Sequence, residues 1–172
     1  MSLVSNILTL NEWLSVLKQP EKMNYWIDFK NLSEKNVESS MIILDNLNEK
    51  YGFKDNAFVE SKNLKVLKIV KEHGFRTLLW VENIKYWKRK EHKDSVYLAK
   101  MIRNQIKELN PDAISCEYSM YPFLCDSFPE QNIHFWDTPK DFTPENVAFT
   151  KKLCNNKSVK VVLVDYPTPD IF

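Results

Sequence analysis

One pattern limits the folds open to this chain more than any other: a short apolar run, ending on or next to a charge, is followed by a segment of helical spacing, and the cycle repeats. The runs are Tyr25–Lys30, Ala57–Ser61, Phe75–Val81, Ala113–Cys116, Ile133–Trp136 and Val159–Val164. Each has strand length, and their interiors are apolar, as in strands covered on both faces. Between them, helical spacing runs from Ser33 and Glu34 to about Tyr51, then over Leu64–His73, Asp94–Leu109, Tyr121–Phe128 and Pro144–Cys154. A further amphipathic helix, Leu8–Lys18, precedes the first strand, with Thr9 as its cap and Glu12 at the capping-box position. Gly52 and Gly74 supply helix stops, Pro111 marks a break, and Thr143 caps the last helix.

Strands that alternate with helices predict a parallel sheet covered by helices, because right-handed crossovers bring each strand beside its predecessor. Periodicity alone leaves open whether that sheet is an open doubly wound one or a barrel. A closed (β/α)8 barrel takes eight such units and about 250 residues, whereas this chain has 172 residues. With 44% hydrophobic residues and no Pro- or Gly-rich linker, residues 1–172 read as a single domain. Either the sheet is open or the chain is part of a larger barrel.

Composition narrows the function classes. A formal charge of +1 gives no overall field to attract nucleic acid, and none is expected as a partner. No apolar run approaches the roughly 20 residues of a membrane helix, and the start of the chain, MSLVSN, has neither the basic nor the apolar part of a signal peptide. A soluble chain of unassigned compartment is expected. Gly52 and Gly74 are the only glycines, so there is no glycine-rich phosphate loop. Cys116, Cys125 and Cys154 lack CxxC spacing and read as small buried apolar residues.

In parallel sheets of this kind, function gathers where strands end. Charges fall there: Asp28 and Lys30, Glu60 and Lys62, Glu82, Glu117, Asp137 and Asp165. Residues two apart on a strand share a face, so Trp26, Asp28 and Lys30 point one way while Ile27 and Phe29 point to the helices. Asp28 with Lys30 is either a structural ion pair or one half of a ligand site, and Glu60 with Lys62 repeats the spacing. Glu82, Glu117 and Asp137 fit equally as acids at helix N-termini. Trp136 offers a flat floor for a glycerol or sugar-like group, or packs in the core. His73 fits a helix-end cation, His92 a basic loop, and His134 the interior. The loop Lys85–Lys93 is read as a solvated basic lid, with contact to phosphate or nucleic acid as the alternative.

Several segments together resemble the glycerophosphodiester phosphodiesterase-like family of phosphatidylinositol-phospholipase-like (β/α) barrels. WIDFK at Trp26–Lys30 is similar to the strand that carries an acidic metal ligand and then a phosphate-facing lysine. AFVES followed by LKVLKIVKEHGF resembles the next strand, helix and glycine, NIHFWDT the strand ending in Trp-Thr, and VKVVLVDYP the final strand. The resemblance implies an incomplete (β/α)8 TIM-type barrel of about six parallel strands with surrounding helices, lacking its first one or two βα units. It implies Asp28 as a metal ligand, Lys30 as the lysine near phosphate and Trp136 as a pocket aromatic; with the strand-end acids Glu60 and Asp165, Lys30 and Trp136 make up the expected substrate-binding residues. The implied cofactor is a divalent cation, Mg2+ or Ca2+, in the full-length parent, weak or absent here, and the implied partner is a phosphodiester small molecule. The family's opening histidine strand, Glu-x-Asp pair and second histidine have no counterpart in this sequence. Phosphodiester hydrolysis is therefore expected of the parent, with this chain inactive by itself; the alternative is a non-catalytic binding module on a degenerate barrel. Open barrel edges also predict a homodimer.

Overall fold

The computed structural model describes residues 8–83, 85–86, 94–136 and 143–164. Its strands are β1 (Tyr25–Asp28), β2 (Ala57–Ser61), β3 (Arg76–Trp80), β4 (Ala113–Glu117), β5 (Ile133–Trp136) and β6 (Val159–Val162). The described helices are α1 (Leu10–Ser15), α2 (Val37–Tyr51), α3 (Leu64–Glu72), α4 (Ser95–Leu109), α5 (Tyr121–Ser127) and α6 (Pro144–Cys154).

The strands form one six-stranded sheet in the order β1-β2-β3-β4-β5-β6, every neighbouring pair parallel. That order decides between the two architectures left open by the sequence. A doubly wound sheet reverses its strand order at a switch point, whereas this one runs in sequence order throughout, as a barrel does. It is also curled. Four strand spacings of about 4.8 Å would hold β1 about 19 Å from β5 on a flat sheet, yet the His134 ring on β5 lies 5.4 Å from Trp26 on β1 and 4.8 Å from Phe58 on β2. Among the described residues β1 pairs only with β2, and β6 only with β5. The architecture is a half-barrel.

The convex face carries the helices and the larger part of the core. Leu14, Met41, Leu44, Val59 and Val70 pack as one cluster over β1 and β2. Leu79, Leu98, Ile102, Ile114, Phe135 and Leu153 pack as a second cluster over β3 to β6. Cys116 is buried in that second cluster, but Cys125 is half-buried and Cys154 exposed. The reading of all three as buried is thus corrected: Cys154 is the last residue of α6, next to the buried Leu153, and is itself exposed.

Local chemistry sets the element ends. Thr9 Oγ1 accepts from the Glu12 amide at 3.2 Å while Thr9 N donates to Glu12 Oε2 at 2.7 Å, so both orphan donors are satisfied and α1 starts at Leu10. The second helix begins only at Val37, because Asn36 Oδ1 accepts from Ser33 N at 2.7 Å and holds the preceding residues in a turn. Gly52 (φ 67°) closes that helix in the left-handed conformation, its amide donating to Asn48 O at 2.7 Å. Asn110 (φ 49°) does the same for α4 just before Pro111, a cap the sequence reading missed. The edge strands are shorter than expected, β1 stopping at Asp28 and β6 at Val162.

Candidate ligand cleft at the carboxyl ends of the strands

Register builds the cleft. Asp28 pairs with Glu60, Trp80 with Ser115, and Glu117 with Trp136, so alternation turns these side chains to the concave face. They surround a cleft of about 450 Å³ lined by Trp26, Asp28, Lys30, Glu60, Trp80 and Trp136, with Leu163 and Val164 after β6. The structure therefore brings together Asp28, Lys30, Glu60 and Trp136. Lys30 lies in the turn after β1 yet still faces the cleft, while Ile27 and Phe29 pack under the helices. Asp137 and Asp165 lie outside the described residues.

Glu60 is the buried acid of the site, 5% exposed. Burial pushes its carboxyl above the usual carboxylate value; hydrogen bonds from the Ser115 hydroxyl and the Trp26 indole oppose the shift, nearby Asp28 adds to it, and Lys30 counters it. Around it the rim is charged in pairs. Asp28 forms an ion pair with Lys30, and Lys62 donates to Glu82 Oε1 at 3.1 Å. Both ammonium groups also stand over the same indole, Lys30 Nζ at 5.3 Å and Lys62 Nζ at 5.1 Å from the ring centroid of Trp80. Trp136 meets Trp80 edge-on at 6.1 Å. Trp80 was not singled out from the sequence; its signal was its place at the end of β3, matching that of Trp136 on β5.

Other expectations are resolved differently. Glu82 pairs with Lys62, and Glu117 accepts a hydrogen bond from Asn83, so neither acts mainly as a helix-terminal acid. His73 caps α3, and its Nδ1 lies 2.6 Å from Asp45, whose other oxygen takes Lys54 Nζ at 2.5 Å. Burial would raise the Asp45 carboxyl, but the bonds from Lys54 and His73 outweigh it and hold the carboxyl low. His73 thus ties α2 to α3, away from the cleft. His134 is 2% exposed inside the half-barrel. His92 and most of the loop Lys85–Lys93 lie outside the described residues.

A divalent cation such as Mg2+ or Ca2+ takes six or more oxygen ligands. Among the described residues no three His, Cys, Asp or Glu side chains converge on one point. In the cleft, Asp28 already faces an ammonium group and Glu60 is turned inward to Ser115 and Trp26. This donor set does not fit a metal by itself. No described helix is long and apolar enough to cross a membrane.

No protein-family model matches the sequence, and no curated protein matches it. Solved structures share its fold. A protein assigned as a glycerophosphoryl diester phosphodiesterase from Silicibacter pomeroyi DSS-3 superposes with a TM-score of 0.62 at 9% identity, over 92% of this chain and 52% of that one. A protein assigned as a glycerophosphodiester phosphodiesterase from Galdieria sulphuraria gives 0.54 at 13% identity, over 84% of this chain and 54% of that one. The chain therefore has a glycerophosphodiester phosphodiesterase-like fold and spans about half the length of these structures.

Proposed function

We propose that this chain supplies the phosphodiester-binding part of a glycerophosphodiester phosphodiesterase-like barrel, and that hydrolysis belongs to a longer parent. The observation that carries this reading is the convergence of Lys30 and Lys62 on Trp80 beside Trp136 and Glu60. The phosphodiester oxygens would exchange into the two exposed ion pairs, each worth about 0–1 kcal/mol and so readily broken. The tryptophan faces would floor the glycerol carbons, and the Glu60 carboxyl at the base of the cleft would pair with a glycerol hydroxyl.

Hydrolysis in the parent would use Mg2+ or Ca2+ to neutralise the diester. Among the described residues Asp28 would join such a site only by giving up its ion pair with Lys30, and the further donors and the acid–base groups would come from elsewhere in the parent. By itself the chain is proposed not to turn over phosphodiesters. A non-catalytic binding module is the second reading, favoured by the engagement of both cleft carboxylates with protein partners. The parent's preceding sequence separates the two: a strand ending in His followed by Glu-x-Asp favours the enzyme.

The test is a tryptophan-fluorescence titration with glycerol 3-phosphate, run beside an assay of bis(4-nitrophenyl) phosphate with Mg2+ or Ca2+. We expect saturable quenching that weakens in Lys30→Met and Lys62→Met, and no release of nitrophenol. Absence of saturable quenching overturns the binding role, and turnover abolished by Asp28→Ala overturns the division of labour.

A further inference from the structure

The half-barrel has a second opening at the amino ends of its strands, opposite the cleft described above. A pocket of about 350 Å³ lies there, within the roughly 300–1,000 Å³ of small-molecule sites, and runs between the edge strands β1 and β6. Its inner wall is aromatic: Trp26 and Phe58 enclose the His134 ring. Its mouth is cationic, with Arg76 and Lys160 both exposed and no acidic residue in the lining among the described residues.

Three observations set this pocket apart from ordinary surface. First, His134 is 2% exposed and its Nδ1 is buried without a hydrogen-bond partner. A buried polar atom left without a partner is destabilising and asks for an explanation. Second, Arg76 has no carboxylate partner among the described residues; its guanidinium instead lies over the Phe58 ring at 5.4 Å, held at the pocket wall with its donors uncommitted to an acid. Third, Lys160 is the extra residue of a register shift between β5 and β6, where Ile133 faces Val159 but His134 faces Val161. Bulges of this kind re-aim a side chain, and here the displaced residue is the second cation of the mouth.

We propose that this pocket is a binding site for a small aromatic carboxylate bearing a hydroxyl at its far end. The carboxylate would sit between Arg76 and Lys160, where a guanidinium can hold it bidentately. The ring would lie against the pocket edge of Trp26 and Phe58, and a turn of the imidazole would bring the buried His134 Nδ1 to the hydroxyl, which is donor and acceptor at once and so satisfies either tautomer. Burial holds the His134 imidazole at a low pKa of about 4, so near neutral pH it meets the ligand uncharged and adds no third cation. The site shares Trp26 with the carboxyl-end cleft but none of its charged residues, and it stands independently of the phosphodiester reading.

The experiment is an NMR titration of ring-labelled histidine protein with 4-hydroxybenzoate, with acetate as a probe carrying the charge alone. The chain has three histidines, and His73 serves as the internal control. We expect a saturable shift at His134 and not at His73, tenfold weaker binding, in round terms about one charge-assisted hydrogen bond, in each of Arg76→Gln and Lys160→Gln, and no saturation with acetate. Trp80→Phe, in the other cleft, should leave the titration unchanged. Absence of saturation at His134 in the millimolar range, binding unaltered in both charge variants, or acetate binding as tightly as 4-hydroxybenzoate would each overturn the proposal. Both variants alter exposed side chains, so the fold should survive, and circular dichroism of each checks it.

Discussion

Ser115 on β4 donates its hydroxyl to Glu60 on β2, reaching across the intervening strand β3 inside the half-barrel. The pair ties the middle of the sheet to the acid at the base of the cleft, and it makes stability depend on the Glu60 proton. The folded carboxyl sits above its ordinary value of 4.5, with burial as the main cause. Below that value Glu60 is protonated in both states and its contribution is fully present. As pH rises, the unfolded chain ionises first, and stability is lost until the pH passes the folded carboxyl's raised value. Glu60→Gln has no proton to lose. The difference in urea midpoint, variant minus wild type, should move in favour of the variant as the pH rises from about 4. A flat difference would show that the carboxyl is not raised.

His134 gives the opposite sign over an overlapping range. Burial lowers its pKa from 6.5 to about 4, so below 6.5 the unfolded chain takes up a proton that the folded imidazole refuses. Stability is fully present above 6.5 and falls as the pH drops toward 4, by an amount of order a few kcal/mol. Phe in its place keeps a ring between Trp26 and Phe58 and removes both the proton and the orphaned Nδ1. Urea unfolding of His134→Phe against wild type, at pH 7 and pH 4, should show the variant gaining as the pH falls. An equal response of both proteins would rule out a buried, neutral His134.

Two glycines offer a contrast between strain and crowding. Gly52 and Gly74 both have positive φ, 67° and 79°, so alanine at either should lose about 1–2 kcal/mol. A Cβ at Gly52 would also stand 3.3 Å from Glu21 Cβ, whereas at Gly74 the nearest atom is the flexible Lys54 Cδ at 3.8 Å. Gly52→Ala should therefore be the more destabilising of the two by chemical denaturation. The reverse order would mean that the turn Pro20–Lys22 yields to the new methyl group.

Much of the fold was legible because it is local. The apolar runs, the Thr9 and Thr143 caps and the Gly52 stop are properties of a few adjacent residues. Alternation sufficed to turn Asp28, Lys30 and Trp136 toward one face. What stayed hidden depends on residues far apart in the chain. Glu60 and Ser115 are 55 positions apart, and nothing in either segment announces the other. Trp80 lies in FRTLLWV, a run apolar on both faces, so its place between two lysines follows only from the curl of the sheet. His73 read as a helix-end cation because Asp45, its partner, belongs to a different helix. Nothing in the run Val159–Val164 marks the role of Lys160, since a register shift exists only against the neighbouring strand.

The open edges set the last expectation. Among the described residues, β1 and β6 each have one neighbour, and an unpaired strand edge is a template for another chain. The two edges are not equal. The sixth strand carries Lys160 and a register shift, both of which discourage further pairing, while β1 runs Tyr25-Trp26-Ile27 with no charge before Asp28. Association of two copies, proposed from the open barrel, should therefore run through β1, in the isologous manner usual for soluble dimers. Light scattering across a range of concentrations should show a dimer that dissociates on dilution, and hydrogen exchange should show amides of residues 25–28 protected in the dimer and released in the monomer. A monomer at every concentration, with exchange at β1 unaffected, would leave that edge to be covered by other parts of the parent chain and remove the case for self-association.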